Sequence, residues 1–335
     1  NDLIMAISSV GINGMTITGN AVEDATQGQE FYIFDCINDD SYDKARAENT
    51  NQYQLTAMAK NTQYAFRYRV TDGVSNNMDA GLWADNANIS PWSDTYPRYT
   101  LSVPPSDATI SCDRDAETWY NTPSFTFTAI NGFGEGKDAE YYRYVWDRNS
   151  THNWNGIEDV WDAGSLSLTA PEANNSYLHI RSYNGDNIPN GSADFGPFYY
   201  DGTAPYAVAQ LQAQTADNSD NVVTVSWVDD SQEPNFKHYE VFAASYGDYP
   251  LYASGSEKAA PADYAAAVAS SDWVSLGTGT EYSLTHNATT RDFYYYIVFA
   301  EDLAGNHSLT SSRASALSYW LGDVNDVPDG LVNSN

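Results

Sequence analysis

Apolar and polar positions along this chain alternate with a period of two. Alternating runs occur at Ile4–Ile7, Met15–Thr18 and Phe31–Phe34, and Gly, Asn and Asp residues separate them. A further run, Tyr64–Val70, places four apolar side chains on one face and two arginines on the other. Half-buried antiparallel strands alternate in this way, because successive side chains point to opposite faces of the sheet. The pattern predicts many short β-strands.

Helical periodicity stands out at one place, the alanine-rich segment Pro261–Ala269. A proline at its start is compatible with a helix, because the first residues of a helix donate no intrahelical hydrogen bond. The segment falls within what we interpret as a loop insertion near residues 244–275. We therefore expect a short helix that lies outside the core.

Two proline-bearing joints divide the chain, Val103–Ser106 and Asp201–Pro205. Proline interrupts strand pairing and stiffens a linker. Cutting at these joints gives the segments 1–103, 104–203 and 204–320, and a polar tail at 321–335. Since each segment has about the size of one β-sandwich, roughly 100 residues, the sequence predicts an all-β chain of three tandem sandwiches.

The composition fits a folded but strongly acidic protein. The chain has 15 Lys and Arg against 45 Asp and Glu, which gives a formal net charge of -30 over 335 residues. Such a field repels nucleic acid and anionic membrane surfaces and attracts divalent cations, whereas neutral glycans are indifferent to it. Disorder is excluded by the 42% hydrophobic content and the 26 Tyr, 12 Phe and 9 Trp residues.

An internal order recurs in the three segments. Each has a late strand rich in tyrosine, followed by a turn with Asp or Asn and Gly. The strands are Tyr64–Val70, Tyr177–Tyr183 and Phe293–Phe299, and the turns are Asp72–Gly73, Asn184–Gly185 and Asp302–Asn306. This order resembles strand F, the F–G turn and strand G of fibronectin type III and bacterial immunoglobulin-like domains.

The resemblance implies a fold and a location. It implies a fibronectin-III-like sandwich at 1–103, an immunoglobulin-like sandwich at 104–203 and a second fibronectin-III-like sandwich at 204–320. Trp227 matches the core tryptophan of a type III domain, and Trp146 lies on a central strand of the middle segment. Similar tandem domains occur in large bacterial surface and secreted proteins, so we expect an extracellular or cell-surface location.

The two cysteines, Cys36 and Cys112, fall in different predicted domains. Two cysteines are too few for a disulfide framework. One disulfide between the domains is one interpretation, and two buried thiols are the other. Six Asn-x-Ser/Thr sequons favour an extracellular setting only weakly, because an asparagine-rich chain contains some by chance. The glycosylation candidates are Asn88, Asn149, Asn174, Asn190, Asn287 and Asn306.

No catalytic signature occurs in the sequence. It lacks the Gly-x-Ser-x-Gly elbow and the His-Glu-x-x-His motif, and its five histidines show no spacing typical of metal ligands. Paired carboxylates serve glycoside hydrolysis, but 45 acidic residues make any one pair uninformative. No apolar run approaches the roughly 18 residues that a membrane-spanning helix requires. We expect a chain that is not an enzyme and does not span a membrane.

The C-terminal segment Leu321–Asn335 resembles the first calcium loop of a dockerin repeat. The resemblance assigns calcium-binding oxygens to Asp323, Asn325, Asp329 and Asn333. Gly330 supplies the sharp turn that such loops need. The sequence departs from the motif by an inserted Val327–Pro328, and the last ligand of the loop would fall beyond Asn335. An ordinary polar tail is the alternative interpretation.

Other acidic and aromatic residues are weaker binding candidates. Acidic clusters that suit calcium between domains are Asp39, Asp40 and Asp43, then Asp113, Asp115 and Glu117, then Asp229 and Asp230. Each cluster is more commonly a solvated turn. Tryptophans near polar turns, which suit sugar stacking, are Trp83, Trp92, Trp119, Trp154, Trp161 and Trp273. For these residues too, packing within the fold is the more common role.

Two functions remain open at this point. The first is a non-catalytic structural or adhesive protein, a subunit of a surface filament, stalk or matrix, which associates with itself or with other surface proteins. The alternative is a carbohydrate-binding accessory segment of a secreted polysaccharide-degrading enzyme. Long unpaired strand edges, or termini added to another subunit's sheet, would favour the first function, and a coplanar row of solvent-exposed Trp and Tyr would favour the second.

Overall fold

The computed structural model describes residues 3–20, 31–46, 51–71, 90–172, 174–216, 221–229 and 233–319. The chain forms two compact units. The first unit comprises Asn1–Glu117, Ser124–Ala170 and Asn175–Phe198, and the second comprises Thr118–Pro123, Pro171–Asn174 and Tyr199–Asn335. Among the described residues, strands account for 48% and helices for 3%, which confirms the predicted all-β class.

The first unit begins with a sandwich, of which the structure describes seven strands. They are β1 (Met5–Ser8), β2 (Gly14–Gly19), β3 (Phe31–Cys36), β4 (Lys44–Arg46), β5 (Gln52–Thr56), β6 (Gln63–Thr71) and β7 (Tyr96–Tyr99). A 3₁₀ turn at Asp40–Tyr42 precedes β4. One antiparallel sheet has the order β1-β2-β5, and the other has the order β4-β3-β6-β7.

Strand β6 confirms the alternation predicted for Tyr64–Val70. Phe66 and Tyr68 are fully buried, and the ring of Phe34 on β3 stacks on Tyr68 at 5.8 Å between centroids. Arg67 and Arg69 point to the other face, where both guanidinium groups lie within 4.5 Å of the centre of the Trp92 ring. One side of the strand therefore builds the core, and the other carries cation–π contacts.

The second sandwich has a sheet of three described strands and a sheet of five. Its strands are β8 (Ile110–Cys112), β9 (Trp119–Tyr120), β10 (Ser124–Ala129), β11 (Tyr141–Asp147), β12 (Asp159–Trp161), β13 (Leu166–Thr169), β14 (Asn174–Tyr183) and β15 (Pro189–Tyr200). The sheets have the orders β13-β10-β8 and β12-β11-β14-β15-β9. The end of β15 also pairs in parallel with β9, through Tyr199 and Tyr200.

The second unit contains the third sandwich. Its elements are β16 (Ala209–Thr215), β17 (Val222–Val228), β18 (Phe236–Ser245), α1 (Tyr264–Ala269), β19 (Val274–Gly279), β20 (Ser283–Asn287), β21 (Phe293–Asp302) and β22 (Ala314–Leu317). The sheets have the orders β16-β17-β20 and β19-β18-β21-β22. Trp227 on β17 is 6% exposed and packs on Tyr239, which confirms its predicted core role.

The segment between β18 and β19 differs from the prediction in two respects. Helix α1 begins at Tyr264, because the side chain of Asp263 accepts a hydrogen bond from the backbone of Ala266 and caps the helix. The segment is also more than a surface loop. Ala267 and Trp273 join Phe299 of β21 in a second buried cluster. Strand β21 is therefore apolar on both faces, because the insertion covers its outer side.

The six-residue α1 is the one α-helix in the described part of the chain, and no helix there is long and apolar enough to cross a membrane.

Candidate functional site

Three carboxylates meet within the third sandwich. Asp201 lies in the segment that leads into β16, which we call the entry segment (residues 201–208), Glu233 precedes β18, and Asp302 ends β21. One oxygen of each carboxylate lies within 4.8 Å of the other two. Among the described residues, no other group of three acidic, His or Cys side chains meets this criterion. We call this group the carboxylate cluster.

The turn after β21 holds Asp302 in place. The Asp302 carboxylate accepts hydrogen bonds from the backbone N–H and from the side-chain amide of Asn306, both at 2.8 Å. The same Asn306 amide donates to the backbone carbonyl of Asp201 at 2.8 Å. Gly305 provides the left-handed backbone (φ 84°) that this turn requires. A single asparagine thus ties the turn to the entry segment.

Asn235 plays a similar part for the other two carboxylates. Its side-chain amide donates to Asp201 at 3.0 Å, and its backbone N–H donates to Glu233 at 2.9 Å. The backbone N–H of Thr203 donates to the second oxygen of Asp201 at 2.9 Å. The donors in these contacts are neutral amides, so they orient the carboxylates without neutralising them.

The electrostatics of the carboxylate cluster favour a cation. Asp201 and Asp302 are 3% and 0% exposed. Two like charges about 5 Å apart repel by about 3 kcal/mol at an effective dielectric constant of 20. Burial raises the pKa of Asp201, and the carboxylates of Glu172 and Asp302 act in the same direction. Burial raises the pKa of Glu233 as well, with Asp201 and Asp302 adding to it.

The chemistry of the ligands indicates which cation fits. All the ligand atoms are carboxylate oxygens, and hard oxygen donors suit calcium or magnesium rather than zinc or copper. Calcium takes six to eight oxygens in flexible geometry, and carboxylates and carbonyls are its usual protein ligands. The carboxylate cluster can therefore supply three ligands to a calcium ion.

A second feature lies in the first unit, where the first and second sandwiches meet. Asn61, fully buried in a left-handed conformation (φ 41°), contacts two turns of the second sandwich. Its side-chain carbonyl accepts from the N–H of Gly185 at 3.1 Å, and its side-chain amide donates to the carbonyl of Gly134 at 2.8 Å. Its backbone carbonyl accepts from the N–H of Gly136 at 2.9 Å.

Asn184 extends this contact from the other side. Its side-chain amide donates to the carbonyl of Thr100 at 3.1 Å, and its side-chain carbonyl closes its own turn by accepting from Asp186 and Ile188. Asp186 in turn accepts from the N–H of Tyr99 at 2.9 Å. We call the bonds made by Asn61, Asn184 and Asp186 across this contact the junction network.

Further pairs surround the junction network. The amide of Asn190 donates to the carbonyl of Ser102 at 2.5 Å, and the hydroxyls of Ser102 and Ser182 lie 3.0 Å apart. Lys60 forms an ion pair with the buried Asp138. The backbone at Gly185 approaches the ring of Tyr99 so closely that a Cβ there would come within 2.5 Å of it. The joint at Val103–Ser106 is therefore supported by specific polar contacts on both sides.

The predicted dockerin-like ligands Asp323, Asn325, Asp329 and Asn333 lie outside the described residues. The structure instead groups two residues that the sequence had singled out as fold markers, Asp201 in the second joint and Asp302 in the last turn. Glu233 had not been singled out. The sequence feature that points to this grouping is the turn after the tyrosine-rich strand Phe293–Phe299. In the structure, that turn packs against the entry segment of the same sandwich.

The six sequons have different surroundings. Asn149 and Asn287 are exposed, Asn174 begins β14, and Asn88 lies outside the described residues. The amides of Asn190 and Asn306 are occupied by the hydrogen bonds described above, which a glycan at either position would have to break.

Both cysteines are free thiols in the structure, Cys36 buried and Cys112 half-buried, so no disulfide joins the two sandwiches. Burial raises the pKa of the Cys112 thiol to about 11. The thiol is therefore mostly protonated at neutral pH, which lowers its reactivity.

The other acidic clusters have structural contacts. Asp39 caps the 3₁₀ turn, Asp43 accepts from the N–H of Cys36 at 2.8 Å, and Asp113 accepts from the N–H of Thr126 at 2.8 Å. Asp230 lies outside the described residues. These carboxylates close turns, as solvated acidic turns commonly do.

The tryptophans considered as sugar platforms mostly have packing partners. Trp161 and Trp273 are 3% and 5% exposed. Trp119 stacks on Tyr199 at 4.7 Å, and the Arg181 guanidinium lies 6.0 Å from the centre of the Trp154 ring. Trp83 lies outside the described residues. Packing within the fold accounts for the described members of this set.

Comparisons with known proteins show no family for this chain. No protein-family model matches the chain, and no curated protein matches it. The crystal structure of chicken CNTN1 FN1-FN3 domains is 12% identical, with 94% of this chain and 97% of that chain covered and a TM-score of 0.35. The crystal structure of domains A168-A170 from titin is 9% identical, with 94% and 98% covered and a TM-score of 0.41. At these identities and TM-scores, neither similarity carries a functional argument.

Proposed function

We propose that this chain is a non-catalytic extracellular structural or adhesive protein, a subunit of a surface filament, stalk or matrix. The observation that supports this role is the junction network between the first and second sandwiches. Domains in one chain move relative to each other by default, unless their interface is large or specifically bonded. Buried amides in fixed hydrogen bonds hold the two sandwiches in one orientation. A structural protein needs such a fixed orientation between its domains.

The energetics of the junction network agree with a fixed joint. A typical hydrogen bond contributes a net of about 1 kcal/mol, but a buried donor or acceptor left unpaired costs about 1–3 kcal/mol. Opening the joint would expose the Asn61 and Asn184 amides to water at a modest cost, whereas bending it would leave them buried and unpaired. The network therefore opposes small rotations most strongly.

Calcium is the second part of the proposal. A calcium ion at the carboxylate cluster would neutralise Asp201, Glu233 and Asp302 and fasten the entry segment to the last turn of the same sandwich. An acidic extracellular protein would meet calcium at concentrations that suit weak sites. The proposed partners are further copies of the chain or other surface proteins, for which calcium would also lower the repulsion between acidic surfaces.

Electron microscopy of the purified protein tests this function. We expect regular filaments or other ordered assemblies in calcium, and looser or shorter ones after a chelator removes it. The Asn61→Ala variant should form irregular assemblies, while Asn149→Ala, which changes an exposed asparagine, should behave like the wild type. Dispersed single particles in calcium and in chelator alike would contradict the filament role.

A further inference from the structure

A region of the third sandwich, lined by residues other than those of the carboxylate cluster and the junction network, has the composition of a ligand site. The insertion between β18 and β19, strand β21, Leu317 of β22 and Tyr319 form an open groove of about 340 Å³. Its lining is aromatic but for one leucine: Tyr246, Tyr252, Phe293, Tyr295, Leu317 and Tyr319. We call it the tyrosine groove.

The rings of the tyrosine groove are held in place by their neighbours. The hydroxyls of Tyr252 and Tyr319 lie 2.8 Å apart. Tyr249, which is 37% exposed, packs on the Tyr319 ring at 5.0 Å between centroids. The backbone of Gly255 lies so close to the Tyr246 ring that a Cβ there would come within 2.3 Å of it. The groove is therefore a preformed aromatic surface.

A polar cleft of about 800 Å³ adjoins the groove, and Tyr246 lines both. Hydroxyl, amide and charged side chains dominate the cleft, among them Ser245, Asp272, Thr285, His286 and Asn287. Hydrogen-bond donors and acceptors thus stand next to apolar ring faces.

Two ion pairs bring positive charges to this region, although the whole chain has a net charge of -30. Asp272 in the cleft pairs with Lys258 at 3.2 Å, and Glu257 pairs with Arg313 at 2.5 Å. The Arg313 guanidinium also lies 4.4 Å from the centre of the Tyr295 ring, which lines the groove. A neutral ligand matches this local balance better than an anionic or a cationic one.

We propose that the tyrosine groove and the polar cleft together bind a neutral oligosaccharide. A sugar ring has an apolar C–H face and a rim of hydroxyls, and the site offers aromatic rings for the face and polar side chains for the rim. A proline-rich peptide also docks on aromatic grooves. Its proline side chains, however, offer no hydrogen-bonding groups to a cleft lined by Ser, Thr and Asn. The site is independent of the junction network and of the carboxylate cluster.

Affinity electrophoresis tests this site, with a soluble β-glucan, a mannan and a xylan as the gel-bound probes and protein from a host that adds no glycans. We expect at least one neutral polysaccharide to retard the wild-type protein. Tyr249→Ala, which removes the ring packed on Tyr319 at the edge of the groove, and Asn287→Ala in the cleft should each weaken the retardation about tenfold. Tyr206→Ala, which removes a tyrosine 67% exposed outside the site, is the matched control and should leave it unchanged.

Melting temperatures of the three variants, expected to match the wild type, show that the fold is intact. Absence of retardation in all three gels would overturn the proposal, and so would equal retardation of wild type, Tyr249→Ala and Asn287→Ala. Binding of a fluorescent proline-rich peptide that Tyr249→Ala abolishes, without retardation by any polysaccharide, would also overturn it. Filament formation is scored separately, so its failure does not affect this result.

Discussion

Asn184 in the second sandwich and Asp302 in the third occupy the same place in the order of the fold. Each follows the tyrosine-rich strand, opens the next turn and is 0% exposed. Asn184 donates its amide to the carbonyl of Thr100, ahead of the first joint. Asp302 faces two further carboxylates, one of them Asp201 in the entry segment. One position thus carries a neutral donor in one sandwich and a negative charge in the other.

The difference shows two ways of fastening a segment to the same turn. An amide both donates and accepts, so Asn184 bonds directly to the neighbouring backbone and to its own turn. A carboxylate can only accept, so Asp302 cannot bond to another carboxylate without a proton or a cation between them. The first arrangement is insensitive to its surroundings, whereas the second should respond to calcium and to pH.

The largest loss of stability should come from placing a carboxylate at the position of Asn184 in the second sandwich. Asn184→Asp removes the donor to Thr100 and buries a carboxylate without a cation, and we expect a loss of about 3 kcal/mol in the free energy of unfolding. Urea denaturation of the whole chain measures this. Asn149→Asp adds the same charge at an exposed position of the second sandwich and should change stability by no more than about 0.5 kcal/mol.

The converse substitution should remove the response to calcium. With calcium at 100 times its dissociation constant, the wild-type third sandwich should gain about 2.7 kcal/mol of stability. Asp302→Asn should abolish most of that gain, because one of the three charges is lost. Asp113→Asn, at a turn carboxylate of the second sandwich, should retain it. An equal calcium shift in Asp302→Asn and the wild type would exclude the carboxylate cluster as the site.

The pH dependence of stability should have opposite signs in the two sandwiches. Burial raises the pKa of Asp201 and Glu233, so in chelator their contribution is greatest below their ordinary pKa near 4 and is lost as pH rises through the raised values. Calcium should remove that loss. Melting temperatures from pH 4 to 8, in chelator and in calcium, check this. A pH profile that calcium leaves unchanged would contradict it.

Glu158 in the second sandwich provides the contrasting case. Burial raises the pKa of its carboxyl, but hydrogen bonds from the backbone of Asn155 and Gly156 and from His152 outweigh burial and lower it to about 2. Its contribution is present above the ordinary pKa of about 4.5 and is lost as pH falls towards 2. Glu158→Gln should reduce the loss of stability at low pH. It should leave the calcium-sensitive loss of stability at higher pH unchanged.

The smallest effect is expected at the rim of the junction network. Arg98 pairs with Asp186 at 3.4 Å and is 40% exposed. Exposed ion pairs contribute about 0.2–1 kcal/mol, so Arg98→Ala should destabilise by less than 1 kcal/mol in urea denaturation and lose its effect in high salt. A larger loss would mean that the rim, rather than the buried amides, holds the joint.

The strands followed from the sequence because alternation is a local signal. The run Tyr64–Val70 lies in β6, and its predicted apolar face is buried. Trp227 lies in the core. The outer burial of β21 was less accessible to prediction, since it depends on Trp273 and Ala267 folding back over the strand. The boundaries of the three predicted domains stay a prediction.

The carboxylate cluster and the junction network could not be predicted, because each assembles residues distant in sequence. Asp201 and Asp302 each belong to a recognisable sequence motif, but their approach to each other and to Glu233 depends on the packing of the entry segment against the last turn. Asn61 gave no signal at all, as its importance lies in contacts with Gly134 and Gly185 of the next sandwich.

The most direct test of the structural role is the distance distribution across the first joint. Spin labels at Gln54→Cys and Ile157→Cys, two exposed positions in the first and second sandwiches, would report it by electron double resonance in a Cys112→Ser background. We predict one narrow distance, unchanged by chelator and broadened by Asn61→Ala. A broad distribution in the protein with Asn61 intact would show a mobile joint and contradict the account.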